Sequence, residues 1–122
     1  MSYALITGAS SGIGRCYAIE MAKRGYNIVA VSNQPQQLDE VARQITSDYS
    51  VEVVTIAIDL ASEGAAKRIF DTCNASGYDV EVLICNAGML LFSTLTRTSP
   101  ESLNTIITLH CTTTTLLCRY FG

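Results

Sequence analysis

The sequence predicts an α/β domain in which a parallel sheet is wound by helices on both faces. Short apolar runs alternate with longer helical patterns in the order β-α-β-α-β-α-β-α. The runs are apolar at nearly every position, as strands buried on both faces must be. A glycine-rich segment, Gly8 to Gly14, lies where the first run gives way to the first helical pattern.

Taken in order, Tyr3–Thr7 reads as the first strand. Gly12 to Arg24 reads as the first helix, with Ile13, Tyr17, Ile19, Met21 and Ala22 at mixed helical spacing. Gly25 closes it as the residue after a C-cap would. Asn27–Ser32 is the second strand, and Pro35 suits the first turn of a helix running to about Tyr49. Leu38, Val41, Ala42 and Ile45 share one face of that helix. Val51–Ile58 is the third strand, Ser62 caps a helix through about Ala75, and Gly77 ends it. Val80–Cys85 is the fourth strand, followed by a loop through Thr98. Ser99-Pro100-Glu101 starts the last helix, whose apolar residues include Leu103, Ile106, Ile107, Leu109, Leu116 and Leu117. The run Thr112–Thr115 lowers helix propensity there, because β-branched side chains lose rotamer freedom in a helix.

A chain of 122 residues suits one domain. Hydrophobic residues make up 48% and charged residues 16%, which supplies a core and excludes a disordered tail. The net charge is −3 with no basic stripe, so a nucleic-acid partner is not expected. No apolar stretch approaches the ~18–20 residues of a membrane span, and the first residues carry no basic leader, so neither a membrane anchor nor targeting is expected. The five cysteines, Cys16, Cys73, Cys85, Cys111 and Cys118, are odd in number and form no CxxC pair. With His110 the only imidazole, no metal site is expected. Cys85 ends an apolar run and Cys118 sits in a helical pattern, so both read as buried free thiols of a cytoplasmic protein.

The segment Thr7-Gly8-Ala9-Ser10-Ser11-Gly12-Ile13-Gly14 has chemistry suited to phosphate. Glycine permits positive φ in a tight turn and lets a pyrophosphate approach the backbone. The helix start then offers free N–H groups and the positive end of its dipole, and Ser10 and Ser11 can add hydroxyl donors. The spacing is G-x-x-x-G-x-G rather than G-x-G-x-x-G, and a glycine triplet by itself also occurs in strand–helix turns that bind nothing.

Three segments together resemble the short-chain dehydrogenase/reductase family: Thr7–Gly14, Asp59-Leu60 after the third strand, and Asn86-Ala87-Gly88 after the fourth. The match runs in register over the whole chain and corresponds to roughly the first half of a usual member. The resemblance implies a Rossmann-type sheet in the order 3-2-1-4, truncated after about four strands. It implies a nicotinamide dinucleotide as partner, held by Thr7, Gly8, Ser10, Ser11, Gly12, Ile13 and Gly14. Asp59, with Leu60 beside it, would contact the adenine, and Asn86, Ala87 and Gly88 would line the ribose side. Taken singly, Asp59 reads equally as a turn residue and Asn-Ala-Gly as a tight turn.

An acid about 20 residues past the glycine turn would bind a ribose 2′-OH and repel a 2′-phosphate. Here the second strand ends Val31-Ser32-Asn33-Gln34, with no carboxylate before Asp39. Neutral Ser32 and Asn33 can accommodate a phosphate, so NADP(H) is expected in preference to NAD(H). Arg15 stands just after the turn, either as a phosphate partner or as a solvated helix residue.

In the family, a serine after the fifth strand and a Tyr-x-x-x-Lys pair carry catalysis. No Tyr-x-x-x-Lys occurs in these 122 residues, and no catalytic residue is assigned. His110 falls where many members place a helix asparagine that serves a proton relay. A neutral imidazole has the donor and acceptor for that task, and it serves equally as a hydrogen-bonded structural histidine. The leading expectation is the dinucleotide-binding half of an oxidoreductase for a carbonyl or alcohol, inactive by itself. The alternatives are a non-catalytic dinucleotide-binding or heteromerising module and an incomplete gene product. Gly-Tyr-Asn-Ile-Val and Ile-Asp-Leu resemble the family's reductases of acyl chains or steroids. A fourth strand left as an apolar edge, together with the last helix, is expected to drive self-association.

Overall fold

The computed structural model describes residues 2–88 and 94–122. Met1 and part of the loop expected before Thr98 lie outside the described residues. The elements follow in the order β1 (Ser2–Thr7), α1 (Gly12–Lys23), β2 (Asn27–Ser32), α2 (Pro35–Asp48), β3 (Val53–Ala57), α3 (Ala65–Ala75) and β4 (Asp79–Ile84). After a 3-10 turn at Leu95–Arg97 come α4 (Pro100–Ile107), a π-helical segment at Thr108–Thr113, and α5 (Thr114–Phe121).

All strand pairs are parallel and the sheet order is β3-β2-β1-β4, as expected. Alternate residues along a strand face opposite sides, and this divides the core in two. Ala4, Ile6, Ile28 and Ala30 pack with Ala18 and Ala22 of α1 and Leu38, Val41 and Ile45 of α2. Tyr3, Leu5, Val29 and Val31 pack on the other face with Leu60, Ala66, Ile69, Cys73 and Leu117. Every residue of β2 is buried, whereas no residue of β4 is fully buried. β2 is an inner strand; β4 bonds only to β1 among the described residues.

The helix ends follow local chemistry. Gly25 sits at φ 91°, with its N–H on the Ala22 carbonyl and the Tyr26 N–H on that of Met21. The same double closure ends α3 at Gly77, φ 72°, through Asn74 and Cys73. Pro35 opens α2, and Ser99 caps α4 by accepting the Ser102 N–H at 3.1 Å.

Several local expectations are corrected. α1 meets the sheet through Gly14, Ala18 and Ala22, a stripe of small residues at four-residue spacing, while Ile13 is 68% exposed and Tyr17 44% exposed. Close approach of helix to sheet leaves no room for the larger side chains. Ser62 does not cap α3; its N–H and hydroxyl both donate to the Asp59 carbonyl, and α3 starts after Gly64 in a left-handed conformation. β3 begins at Val53 rather than Val51, because the Val51 N–H turns back onto the Tyr49 carbonyl and the Asn27 side chain takes the Glu52 N–H. β4 is shifted one residue earlier than expected, ending at Ile84. Of the five cysteines only Cys73 is buried; Cys85, just past the end of β4, and Cys118 on α5 are exposed.

Candidate functional site

In a parallel sheet all strand C-terminal ends meet one edge. Here the chain winds from β1 outward to β3 and then returns to place β4 on the other side of β1. The crevice at that reversal is where open α/β sheets bind ligands. A cleft of about 510 Å³ opens there, within the usual range for small-molecule sites.

The floor of the cleft comes from the turn after β1. Gly8 takes φ 68°, and a Cβ on it would lie 3.0 Å from the backbone of Ala87 and from Asn86 Nδ2. Gly14 needs no special φ, but a Cβ there would overlap the Gly8 carbonyl and lie 2.6 Å from Asn86 Nδ2. Glycine at these positions therefore lets the two turns nest. Gly12 differs: it takes φ 57°, and a Cβ on it would meet nothing within 4 Å. Ser11 is the N-cap of α1, but its hydroxyl does not cap. The first-turn N–H groups consequently receive no side-chain acceptor from Ser11 and suit an anion.

Thr7 is buried and acts from beneath. Its hydroxyl oxygen accepts the N–H groups of Asn86 at 2.9 Å and Ala87 at 3.1 Å, tying the turn after β4 to the end of β1. The buried Ser10 and Ser32 hydroxyls share a 2.8 Å hydrogen bond, and Ser32 Oγ also accepts the Gln34 N–H at 3.1 Å. Ser32 thus fixes the junction of β2 and the glycine turn, leaving exposed Asn33 on the rim.

Asp59 lies at the cleft, with Oδ1 accepting the Ala61 N–H at 2.9 Å in the turn after β3. Leu60 beside it is buried, and its carbonyl accepts the hydroxyl of buried Thr113. Asp59 is the only charged residue lining the cleft among the described residues. Arg15 does not line it; its guanidinium donates to Gln44 Oε1 on α2.

Of the residues expected from sequence, the cleft gathers Gly8, Ser10, Ser11, Ser32, Asn33, Asp59, Leu60, Asn86, Ala87 and Gly88. Thr7 and Gly14 support it from behind, and Gly12 and Ile13 stand at the open start of α1. His110 is exposed, with its ring against Gly88. Sequence reasoning missed Gln34, Ile58, Ala61, Thr105 and Leu109 in the lining, and Thr113 behind it. Thr105 and Leu109 are four residues apart on a helix, a spacing that marks one face. The threonine run, read only as helix-weakening, supplies the tether to Leu60.

Cysteine chemistry is not built here. Cys85 precedes Asn86 and is exposed as a residue, yet desolvation of its thiol and the neighbouring Cys118 push its pKa up to about 11. A thiol held protonated is a poor nucleophile. Burial also pushes the Cys73 thiol up. Among the described residues no group of three or more His, Cys, Asp and Glu could hold a metal ion. No helix of the described residues is long and apolar enough to cross a membrane.

The wound parallel sheet, with a glycine turn and an uncapped helix start at its switch point, defines a Rossmann-type α/β protein. Residues 2–121 match the family model described as short chain dehydrogenase, and the chain belongs to that family. It is 43% identical over 89 residues to the very-long-chain 3-oxoacyl-CoA reductase of Bos taurus, covering 71% of this chain and 27% of the relative. With the very-long-chain 3-oxoacyl-CoA reductase of Kluyveromyces lactis it shares 35% identity over 120 residues, covering 97% of this chain and 35% of the relative. Among solved structures, a short-chain dehydrogenase from Sphingobium yanoikuyae in complex with NADPH superposes with a TM-score of 0.91 at 30% identity. That match covers 99% of this chain and 47% of the solved one. The chain therefore spans about a third or less of these curated relatives and about half of the structural neighbour.

Proposed function

We propose that the cleft binds NADP(H), and that these residues form the dinucleotide-binding part of a reductase acting on carbonyl groups. The observation that carries the reading is a convergence. Ser11 at the uncapped start of α1, the Asp59 turn and the Asn86–Gly88 turn all border one crevice at the switch point, and Gly12 stands open next to Ser11. Gly12 offers space that a Cβ would fill, and the helix start offers N–H donors to a pyrophosphate. Asp59 would accept from the adenine amino group, and Asn33 with Gln34 would border the ribose. The preference for NADP(H) over NAD(H) is supported by the absence of a carboxylate at the end of β2, where an acid would repel a 2′-phosphate.

When bound, the nicotinamide supplies a hydride to a carbonyl carbon. The residues present bind and orient: Thr7 and Asn86 lock the two turns together, and Leu60, Ala87 and Leu109 supply apolar wall. The proton donor of such a reaction has no candidate among them. The names of the bovine and yeast relatives support a 3-oxoacyl thioester as substrate of the whole enzyme. The free cysteines, Cys16, Cys73, Cys85, Cys111 and Cys118, support a cytoplasmic setting. The exposed Ile107 and Leu116, with β4 bonded only to β1 among the described residues, support self-association.

Titration of the chain with NADPH and with NADH, followed by nucleotide fluorescence, tests the binding. Saturation by NADPH at lower concentration than NADH, abolished by Gly12→Val, is expected. Equal affinities would remove the NADP(H) preference, and no saturation by either would remove the binding reading.

A further inference from the structure

We propose that His110 is a positioning residue for the dinucleotide, holding the Asn86–Gly88 turn in place through its contact with Gly88. The inference rests on the cleft being the dinucleotide site. Gly8, Gly12, Gly25, Gly64 and Gly77 adopt positive φ; Gly88 does not. A left-handed backbone therefore does not account for a glycine there; the space beside it does. A Cβ on Gly88 would lie 2.8 Å from His110 Cε1, 3.6 Å from Nε2 and 3.8 Å from Nδ1. All three nearest atoms belong to one imidazole. The missing side chain of Gly88 is the space that the His110 ring uses.

The backbone delivers the ring to that place. His110 lies within the π segment Thr108–Thr113, where an extra residue per turn changes which side chains face inward. Both ends of the segment are anchored. Thr113 donates to the Leu60 carbonyl and Leu117 is buried in the core, while Leu109 lines the cleft. The turn after β4 is likewise held at two points. Thr7 takes the N–H groups of Asn86 and Ala87 at one end, and His110 abuts Gly88 at the other. Asn86, Ala87 and Gly88 all line the cleft, so moving the ring moves a wall that the ligand touches.

His110 is the only histidine of the chain, and its Cε1–H is the group nearest to where a Gly88 side chain would begin. Its Cε1–H resonance can therefore be followed without ambiguity by NMR while NADPH is added to the 122-residue chain. The resonance is expected to move and to saturate over the same NADPH concentrations as the nucleotide fluorescence. Gly88→Ala is expected to weaken NADPH by up to about tenfold, its methyl meeting the His110 ring and displacing the ring or the turn. His110→Ala should itself weaken NADPH, and adding Gly88→Ala to it should cost little more, because the ring that the methyl meets is gone, at a temperature where thermal melts show every variant folded. A resonance that stays fixed while fluorescence saturates overturns the proposal, as does a His110→Ala variant that binds like wild type or a double variant whose losses simply add. If Gly88→Ala does not fold, the resonance of the unaltered chain decides. Absence of NADPH saturation in the unaltered chain removes the dinucleotide reading and this inference with it.

Discussion

Replacing Thr7 by valine tests how the site is assembled. Thr7 is 2% exposed, and its hydroxyl is the acceptor for two backbone N–H groups, those of Asn86 and Ala87. Valine fills the same volume, so packing is nearly conserved and the change isolates the acceptor. A hydrogen bond contributes about 1 kcal/mol net, and a buried donor left without a partner costs about 1–3 kcal/mol. Asn86 and Ala87 are half-buried, so some solvent reaches the orphaned groups. Together these set a loss of about 2 kcal/mol. For a domain of this size that lowers Tm by roughly 6–10 °C. Urea unfolding followed by far-UV circular dichroism measures it, with an unchanged m-value showing that the two-state comparison holds. Thr7→Ser keeps the acceptor and removes one methyl, for about 1 kcal/mol or less. NADPH affinity should fall in Thr7→Val and stay nearly unchanged in Thr7→Ser. A Thr7→Val variant within ~0.5 kcal/mol of wild type, a shift too small for an orphaned donor, would refute the reasoning; so would one no worse than Thr7→Ser.

Gly14→Ala should destabilise by about 2–3 kcal/mol through overlap with the Gly8 carbonyl. Gly12→Ala meets no atom and should cost only the ~1–2 kcal/mol of left-handed backbone. Equal losses in thermal melts would contradict that distinction. Tyr3 donates to Glu52 Oε2 at 2.7 Å, and burial, followed by that carboxylate, pushes its pKa from 10.0 to about 12. The folded value is the higher one, so its contribution is complete below pH 10 and disappears as pH rises through about 12. The stability difference between wild type and Tyr3→Phe, measured by urea unfolding from pH 8 to 12, should shrink across that window; a constant difference would count against the assignment. The open β4 edge and exposed Ile107 and Leu116 predict self-association, and a monodisperse monomer by light scattering would contradict it.

Much of the fold was legible because its signals are local. The continuous apolar runs reported strands covered on both faces, and Gly25 and Gly77 marked helix ends through the φ that only glycine adopts readily. Gly12 was legible for the same reason, and the absence of an acid after β2 needed only counting. Boundaries were less so. Ser62 looked like a cap, yet its hydroxyl found the Asp59 carbonyl, a competition that sequence spacing does not resolve.

By itself, then, the sequence determined the alternation of strands and helices, the place of the glycine turn and the family to which they belong, since periodicity and backbone permissiveness act within a few residues. Tertiary structure alone decided the rest. Thr7 ties the turn after β4 to the end of β1. Cys85 and Cys118, read as buried, stand exposed. Arg15 turned to Gln44 rather than to the cleft. The space a side chain on Gly88 would take is occupied by a histidine ring carried by a distant π turn. Each of these depends on which atoms arrive from other elements, and excluded volume between segments far apart in sequence leaves no trace in the order of residues within either one.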